Sequence, residues 1–195
     1  MFYILKRISF KQKEKKRFLS NKIIPFVWSQ KINNEIIYVV HKKHILLVLQ
    51  CLNQHIKFQY KVLSCISGVD FLGTSIGNKC RFGVVYDLLS IFYKKRIRVK
   101  LFLKELDTVS STISIYINAN WWEREIWDMF GIWFENHIDL RRILTDYGFD
   151  GYPLRKDFPL TGYIDVCYDI DRKRIISKPL QLSQEYRLFV FEDQW

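Results

Sequence analysis

The segment covering residues 121–162 constrains the fold most, because it demands burial and yet cannot continue as one helix or strand. It holds ten aromatic residues and thirteen charged residues of both signs. Gly148, Gly151, Pro153 and Pro159 interrupt it where regular structure could otherwise continue. Aromatic side chains at this density favour burial, and the charges need specific partners. The segment is therefore predicted to be a docking element that becomes buried against another protein.

The N-terminal half contains one pattern typical of an amphipathic helix and three patterns typical of strands. Apolar residues spaced i, i+3, i+4, i+7 and i+11, which end at Ile56, predict a helix over residues 43–57. A compact apolar run predicts a buried strand, and clean alternation predicts two more strands that pair antiparallel. These strands are expected at residues 82–89, 96–104 and 112–117, and turns are expected near Gly68 and at residues 73–77.

A second helix is expected to begin just after Asn120, which would be its N-cap residue. Glu123 would complete a capping box, and Gly131 would end the helix. Arg124 and Asp128 lie four residues apart and are predicted to pair on its surface. The inner stripe of this helix is predicted to contain Trp122, Ile126, Met129 and Phe130.

These elements indicate an α/β (α+β) fold. It would be a small two-layer sandwich of a mostly antiparallel sheet with packed helices, followed by an extended C-terminal arm. The α/β domain is predicted to span residues 31–134, after a basic extension at residues 1–30. The arm would span residues 135–195, with one short helical turn at residues 139–144.

Charge is distributed unevenly along the chain. Residues 1–120 hold 21 Lys and Arg against 6 Asp and Glu, whereas residues 121–195 hold 10 against 14. A basic half of this kind suggests nucleic acid, an anionic membrane surface or an acidic partner. No run reaches the roughly 18 apolar residues that a membrane-spanning helix needs, so the chain is predicted to be soluble or peripheral.

The residue types that carry chemistry point to no catalytic or metal site. The cysteines at 51, 65, 80 and 167 include no C-x-x-C pair, which favours ordinary buried thiols over a zinc or iron–sulfur site. His41 and His44 are too few ligands for a metal. Glu123, Glu125 and Asp128 do not share one helix face, so capping and ion pairing are preferred over catalysis. No phosphate-binding or dinucleotide-binding glycine motif occurs.

The charged groups of the docking segment admit two interpretations. They are either a solvated loop or a set of bidentate clamps on a partner's carboxylates, and the apolar residues among them favour the second. The apolar residues would be buried either on this chain's own sheet or, as preferred, on a second subunit. The predicted partner-docking residues are Trp122, Glu123, Arg124, Glu125, Asp128, Arg141, Arg142, Phe149, Pro153, Leu154, Arg155, Lys156, Asp157, Phe158 and Pro159.

The segment also resembles the signature of a known family. The runs WWEREIWDMFGIWF and HIDLRRILTDYGFDGYPLRKDFPLTGY are similar to the thirty-kilodalton subunit of respiratory complex I, known as subunit 9 of mitochondrial NADH dehydrogenase and as the C subunit of bacterial NADH-quinone oxidoreductase. Weaker similarity covers Gly68-Val69-Asp70, Arg81-Phe82-Gly83 and Gln184-Glu185-Tyr186. The chain departs from the family's usual pattern at Ile138, where a proline is usual, and at Tyr152, where a histidine is usual.

The resemblance implies a non-catalytic structural subunit in the peripheral arm of the complex, on the matrix side of the mitochondrial inner membrane. Its members carry no flavin and no iron–sulfur cluster, since these belong to partner subunits. Their domain and arm pack against the 49 kDa subunit beside the quinone module. The basic N-terminus is expected to meet lipid headgroups such as cardiolipin, or an accessory subunit.

Two other functions remain open on the sequence alone. The basic half would suit a nucleic-acid-binding protein of the ribosomal type, although the acidic second half argues against it. An independent enzyme would have to use Glu123, Glu125 and Asp128. Salt-sensitive RNA binding would indicate the first, and an activity lost on Glu125→Gln would indicate the second.

Overall fold

A five-stranded mixed sheet forms the frame of the protein. The computed structural model describes residues 25–32, 35–77 and 79–181. The predicted basic extension lies outside the described residues up to residue 24, and so does the end of the predicted arm from residue 182. The strands are β1 (Phe26–Ile32), β2 (Glu35–Val40), β3 (Val62–Asp70), β4 (Phe82–Ser90) and β5 (Lys95–Leu103).

The strands lie side by side in the order β1-β2-β5-β4-β3. Every neighbouring pair is antiparallel except β2 and β5, which run parallel. The hairpin of β4 and β5 shows an alternating burial pattern, since one face of each strand is mostly buried and the other is mostly half-buried. The predicted α+β class with a mainly antiparallel sheet is confirmed.

Two helices cover one face of this sheet. A 3₁₀ turn (Lys42–His44) leads into α1 (Ile45–Gln54), and α2 (Ala119–Phe130) packs on β3. The predicted apolar stripe of α1 is confirmed, with the exception of Ile56, which lies beyond the end of the helix and is 76% exposed. The buried stripe of α1 consists of Ile45, Val48, Leu49 and Leu52.

The core lies between the two helices and the sheet. The inward residues of β5 alternate as predicted: Val99 and Leu101 are buried, whereas Arg98 and Lys100 face the other side. On α2, Ile126 and Phe130 are buried, and Trp122 and Met129 pack against the core as partly buried residues. The predicted inner stripe of α2 is therefore confirmed.

The strand predicted at residues 112–117 is wrong. This stretch forms a turn in which the N–H groups of Ile115 and Tyr116 donate to the carbonyl of Thr112. The backbone N–H of Thr112 donates to Glu123 instead of a strand neighbour, and β5 pairs with β4 and β2. A buried carboxylate on α2 thus outweighs the β propensity of the isoleucines.

The turn predicted near Gly68 is also wrong, because Gly68 lies inside β3. Its missing side chain has a packing role. A Cβ atom at Gly68 would come within 2.5 Å of the Phe130 ring, so the glycine permits α2 to lie close to the sheet.

The chain after α2 forms a long irregular stretch between short strands. β6 (Val109–Ser110) pairs in parallel with β7 (Phe134–Glu135), and β8 (Ile164–Asp169) forms a hairpin with β9 (Arg174–Pro179). The sequence prediction missed this hairpin, although Ile164, Val166 and Tyr168 alternate. The helical turn predicted at residues 139–144 is wrong, because this stretch contains no helix.

Candidate functional site

The candidate site is the irregular stretch at residues 136–163, here named the arm loop, together with the surface of the domain on which it lies. The main polar contacts that hold the arm loop to the domain lie at Asp128, at the C-terminal end of α2 and at Asp70. Each contact joins residues far apart in the sequence, so the arm loop is placed by the fold and not by local preference.

Asp128 is the first anchor. Its carboxylate is fully buried on α2 and accepts the backbone N–H groups of Leu144 at 2.7 Å, Thr145 at 3.0 Å and Ile143 at 3.2 Å. The hydroxyl of Thr145 also donates to it at 2.6 Å. Burial raises the pKa of Asp128, but the donors from Thr145, Leu144 and Ile143 outweigh burial, so the pKa lies below its ordinary value. The charged carboxylate therefore orders the arm loop.

The C-terminal end of α2 is the second anchor. Gly131 ends the helix with φ of 73°, as predicted, which exposes the last carbonyl groups. Leu154 donates its N–H to the carbonyl of Met129 at 3.1 Å, and Arg155 Nε donates to the carbonyl of Phe130 at 2.7 Å. A cation at this position also interacts favourably with the helix dipole.

The guanidinium of Arg155 is packed as well as hydrogen-bonded. Its Cζ lies 4.3 Å from the centre of the Tyr152 ring and 5.1 Å from that of Phe82. Tyr152, one of the two departures from the family pattern, also receives Arg142 at 5.1 Å and stacks edge-on against Trp127. An aromatic ring at this position thus supports two of the arm loop's cations.

Asp70 at the end of β3 is the third anchor. It accepts the backbone N–H of Lys156 at 3.0 Å and that of Leu72 at 3.0 Å. Arg81 lies 3.6 Å from it and donates to Asp157 at 2.7 Å and to Glu105 at 2.6 Å. Burial raises the pKa of Asp70, but the N–H donors and Arg81 outweigh burial and hold this pKa below its ordinary value.

Glu123 ties α2 mainly to the preceding loop, and one of its carboxylate oxygens also lies 3.9 Å from Nε2 of His137 in the arm loop. Its fully buried carboxylate accepts the hydroxyl of Ser111 at 2.6 Å, and the N–H and hydroxyl of Thr112 at 2.7 Å each. The predicted capping box is wrong, because the N-cap residue is Asn118 and no side chain bonds to the helix start.

The predicted surface pair of Arg124 and Asp128 is wrong as well. Both residues are buried. Arg124 Nε donates to the carbonyl of Arg141 at 3.1 Å and lies over the Trp121 ring. The two residues do lie four positions apart on α2, but each side chain bonds to the arm loop and not to the other.

The predicted docking residues therefore fall into three groups by exposure. Glu123, Arg124 and Asp128 are buried. Arg141, Leu154, Lys156 and Asp157 are exposed, whereas Trp122, Glu125, Arg142, Phe149, Pro153, Arg155, Phe158 and Pro159 are half-buried. The charged groups at positions 155–157 have partners within this chain, so they hold the arm loop in place and do not point freely to solvent.

Exposed apolar side chains follow the arm loop on its outer side. Tyr147 is fully exposed, and its neighbours along the loop retain more than half of their surface. Of these residues, the set of docking residues predicted from the sequence contains only Leu154. The exposed apolar residues of the arm loop and of its base at α2 are Trp121, Ile138, Leu144, Tyr147, Leu154, Leu160 and Tyr163.

Sequence reasoning also missed the domain side of the third anchor. Asp70 and Arg81 stood in the stretches of weaker family similarity, but no local pattern linked them to residues 156 and 157. Only the antiparallel pairing of β3 and β4, which brings Asp70 opposite Phe82, places them together.

The side chains that bind metals are dispersed in the part of the chain that the structure describes. No three His, Cys, Asp or Glu residues there form a group suited to a metal ion. Cys51 lies on α1, Cys65 on β3, Cys80 before β4 and Cys167 on β8. None of the helices among the described residues is long and apolar enough to cross a membrane.

Comparison with known proteins gives consistent matches. A family model described as respiratory-chain NADH dehydrogenase, 30 kDa subunit, matches residues 38–164. The chain is 48% identical to NADH-ubiquinone oxidoreductase subunit 9 of Prototheca wickerhamii, over 83% of this chain and 82% of that one. It is 52% identical to NADH dehydrogenase [ubiquinone] iron-sulfur protein 3 of Solanum tuberosum, over 72% of each chain.

Two solved structures share the fold. A trypsin-resistant fragment of Nqo5 matches with a TM-score of 0.51 and 26% identity, over 58% of this chain and 89% of the fragment. A chain of an archaeal respiratory membrane complex, the membrane-bound sulfane sulfur reductase, matches with a TM-score of 0.57, over 69% of this chain and 79% of that chain. At 23% identity the second match shows the fold alone.

Proposed function

The chain belongs to the family of the 30 kDa subunit of respiratory-chain NADH dehydrogenase, and we propose that it serves there as a non-catalytic scaffold that docks through its arm loop. It is a subunit of the peripheral arm of respiratory complex I, the NADH:ubiquinone oxidoreductase. The family match carries this conclusion, because it includes β3–β5, both helices and the whole arm loop. It displaces the alternative of a ribosomal-type nucleic-acid-binding protein.

The scaffold role is supported by how the acidic helix uses its carboxylates. Glu123 and Asp128 are fully buried, and donors from this chain saturate them. A general acid or base has to reach a substrate proton. In this proposal electron transfer, quinone reduction and proton translocation belong to neighbouring subunits.

The same proposal assigns the flavin and the iron–sulfur clusters of the complex to partner subunits. Some relatives carry "iron-sulfur protein" in their names. The cysteines of this chain lie on separate elements, whereas a cluster draws its thiolates from closely spaced positions. Replacing all four cysteines by serine is expected to leave the iron–sulfur electron paramagnetic resonance signals of the purified complex unchanged. Loss of one signal would assign a cluster to this chain.

Other complex I subunits are partners of this chain, and the proposed contact of the arm loop is the 49 kDa subunit beside the quinone module. The proposed location is the matrix side of the mitochondrial inner membrane. The outward apolar residues of the arm loop support docking, because apolar side chains exposed along one segment are typical of a protein interface.

The direct test is the combined substitution of Arg155, Lys156 and Asp157 by alanine. It removes the side-chain contacts of the second and third anchors, which join Arg155 to Phe130, Lys156 to Leu72 and Asp157 to Arg81. The amount of assembled complex in blue-native gels with an NADH dehydrogenase stain is therefore expected to fall several-fold. Lys57→Ala, at an exposed turn after α1, is the matched control and is expected to assemble normally. Normal assembly of the triple variant, with its arm loop shown by hydrogen exchange to be released, would contradict docking through the arm loop.

A further inference from the structure

The sheet has a second face, opposite α1 and α2, that its own chain leaves uncovered by any helix among the described residues; we name it the open face. The strands β2 and β4 consist of nearly continuous apolar runs, EIIYVV and FGVVYDLLS. Such runs are typical of strands buried on both faces, whereas a strand with one solvated face alternates between apolar and polar residues. On β2 this chain itself buries the open-face residues, since Ile37 is 4% and Val39 5% exposed, whereas Val85 and Leu89 of β4 stay half-buried. The sequence of β4 therefore indicates a further cover over the β4–β5 part of the open face.

The register of the sheet shows which residues the open face presents. Val39 lies beside Trp28 on β1 and beside Lys100 on β5, and Lys100 lies beside Val85 on β4. Trp28 is 44% exposed. A neighbouring row contains Phe102, whose ring stacks on Phe71 at 5.7 Å. A Trp, several aliphatic side chains and a Phe thus surround one lysine.

In the middle of the open face the charges are paired within the chain except at this lysine. Arg96, at the start of β5, also lacks an ion-pair partner among the described residues, but it is exposed to solvent. Arg98 Nε donates to Asp87 at 2.6 Å, and Arg98 lies 3.9 Å from Glu35. Among the described residues Lys100 has no ion-pair partner, although it is half-buried. Burial and the neighbouring Arg98 lower the pKa of Lys100, and together they outweigh the opposing attraction of Asp87, which makes no contact with the ammonium group. A half-buried ammonium group without an acceptor is costly, and a carboxylate brought by a partner would offset that cost.

We propose that the open face is a second docking surface, which is covered by an apolar segment of another complex I subunit that brings one carboxylate to Lys100. The inference rests on membership in the complex but not on docking through the arm loop. A second copy of this chain fits poorly. The face carries Arg96, Arg98 and Lys100 against Glu35 and Asp87, so two copies would oppose like charges.

Charge reversal tests the proposal in the assembled complex. Lys100→Glu is expected to lower the yield of complex in blue-native gels by about tenfold, since one unpaired interfacial charge costs more than the 1.4 kcal/mol that this factor represents. Lys100→Arg keeps the charge and is expected to assemble nearly as well as the wild type. Lys57→Glu makes the same charge change away from the open face and is expected to have no effect.

A second variant keeps the test decisive if charge reversal disturbs folding. Lys100→Met retains most of the aliphatic stem and removes only the ammonium group. Its expected yield of complex lies several-fold below that of the wild type, because the partner's carboxylate is then left unpaired. Wild-type yields for both Lys100→Glu and Lys100→Met would overturn the proposal.

Cross-linking identifies the occupant. A photoreactive phenylalanine derivative is placed at Trp28 in the full chain, the complex is purified and irradiated, and the linked peptide is identified by mass spectrometry. The expected product is one segment of another subunit with an Asp or Glu among apolar residues. A link only to this chain, a link to a segment without an acidic residue, or no link would each overturn the proposal. If the wild-type chain itself fails to enter the complex, the function proposed above fails instead.

Discussion

The domain and the arm loop are held together by different forces. Between the sheet and the helices, apolar side chains such as Val99, Leu49 and Ile126 are almost completely removed from water. In the arm loop most apolar side chains stay half-buried or exposed, and the order comes from buried carboxylates and helix carbonyls that accept its N–H groups. The domain is therefore stabilised mainly by apolar burial, which needs no particular direction of contact, whereas the arm loop depends on a few specific hydrogen bonds.

This difference teaches how a scaffold subunit can present a surface without a second core. Backbone groups in an irregular stretch need partners, and here the domain supplies them through Asp128, Asp70 and the end of α2. The apolar side chains of the arm loop then remain available on the outside. The contrast predicts that the arm loop opens separately from the domain, with a lower free energy of local unfolding.

The largest effect is expected from a cavity in the domain. Leu101 is buried in the central strand β5, and Leu101→Ala should lower the free energy of unfolding by about 3–4 kcal/mol. Urea unfolding followed by circular dichroism measures this change. Because the core is shared by the sheet and both helices, hydrogen-exchange protection should fall in all strands together. Loss of protection confined to β5 would contradict a single cooperative core.

The next effect is expected at the first anchor. Asp128→Ala removes an acceptor of four hydrogen bonds, and each bond to a charged group contributes about 1.5–3 kcal/mol before solvent replaces it. Since water can reach the freed N–H groups, the free energy of local unfolding of the arm loop is expected to fall by about 2–3 kcal/mol. Hydrogen exchange should accelerate at residues 143–149 and stay unchanged in β4 and β5. Equal acceleration in both regions would remove the distinction between domain and arm loop.

Acid should also release the arm loop before the domain unfolds, because it protonates the carboxylates of the first and third anchors. The pKa values of Asp128 and Asp70 are lower in the folded protein than the ordinary value of 3.8. A lowered pKa contributes stability that is fully present above that ordinary value and is lost as the pH falls through the lower folded value. Fluorescence of Trp127, which contacts Tyr152 of the arm loop, should change below about pH 3.8 before the far-ultraviolet circular dichroism does. In Asp128→Asn this early change should be reduced.

A smaller effect is expected from the cap of α2. Arg155→Ala removes one hydrogen bond to the Phe130 carbonyl and the stacking on Tyr152 and Phe82. The free energy of unfolding is expected to fall by about 1–2 kcal/mol. Arg155→Lys keeps the charge but lacks the planar group, so it should recover less than half of that loss. Full recovery by lysine would show that the helix dipole alone accounts for the contact. Thermal unfolding of the full chain, measured for Arg155→Ala and Arg155→Lys, gives both losses.

The two regions also differ in how far the sequence predicts them. A compact apolar run located β4, period-2 alternation located β5, and a helical spacing of apolar residues located α1, because burial leaves such signals in the sequence. The buried carboxylates of α2 leave no such signal. The sequence suggests a capping role for Glu123 and a surface ion pair for Asp128, yet their partners lie at residues 111–112 and 143–145. The strand expected at residues 112–117 failed for this reason, since a distant carboxylate determined its conformation. The family resemblance marked the whole segment but assigned no contact within it.

The smallest effect on stability, and the most direct comparison of the two roles, is expected at Tyr147. Its side chain is fully exposed on a turn in which the carbonyl of Asp146 accepts the N–H of Phe149 at 3.2 Å, while Arg142 donates to the carbonyl of Gly151 across the loop. Tyr147→Ala should therefore change the free energy of unfolding by less than about 0.5 kcal/mol. An exposed aromatic side chain held on an ordered loop is, however, suited to be an interface anchor, whose truncation costs about 2 kcal/mol or more in binding. The complex should then assemble poorly although the isolated chain is unchanged, whereas Leu101→Ala destabilises the chain itself. Unchanged assembly of Tyr147→Ala would limit the docking surface to the other exposed residues of the arm loop.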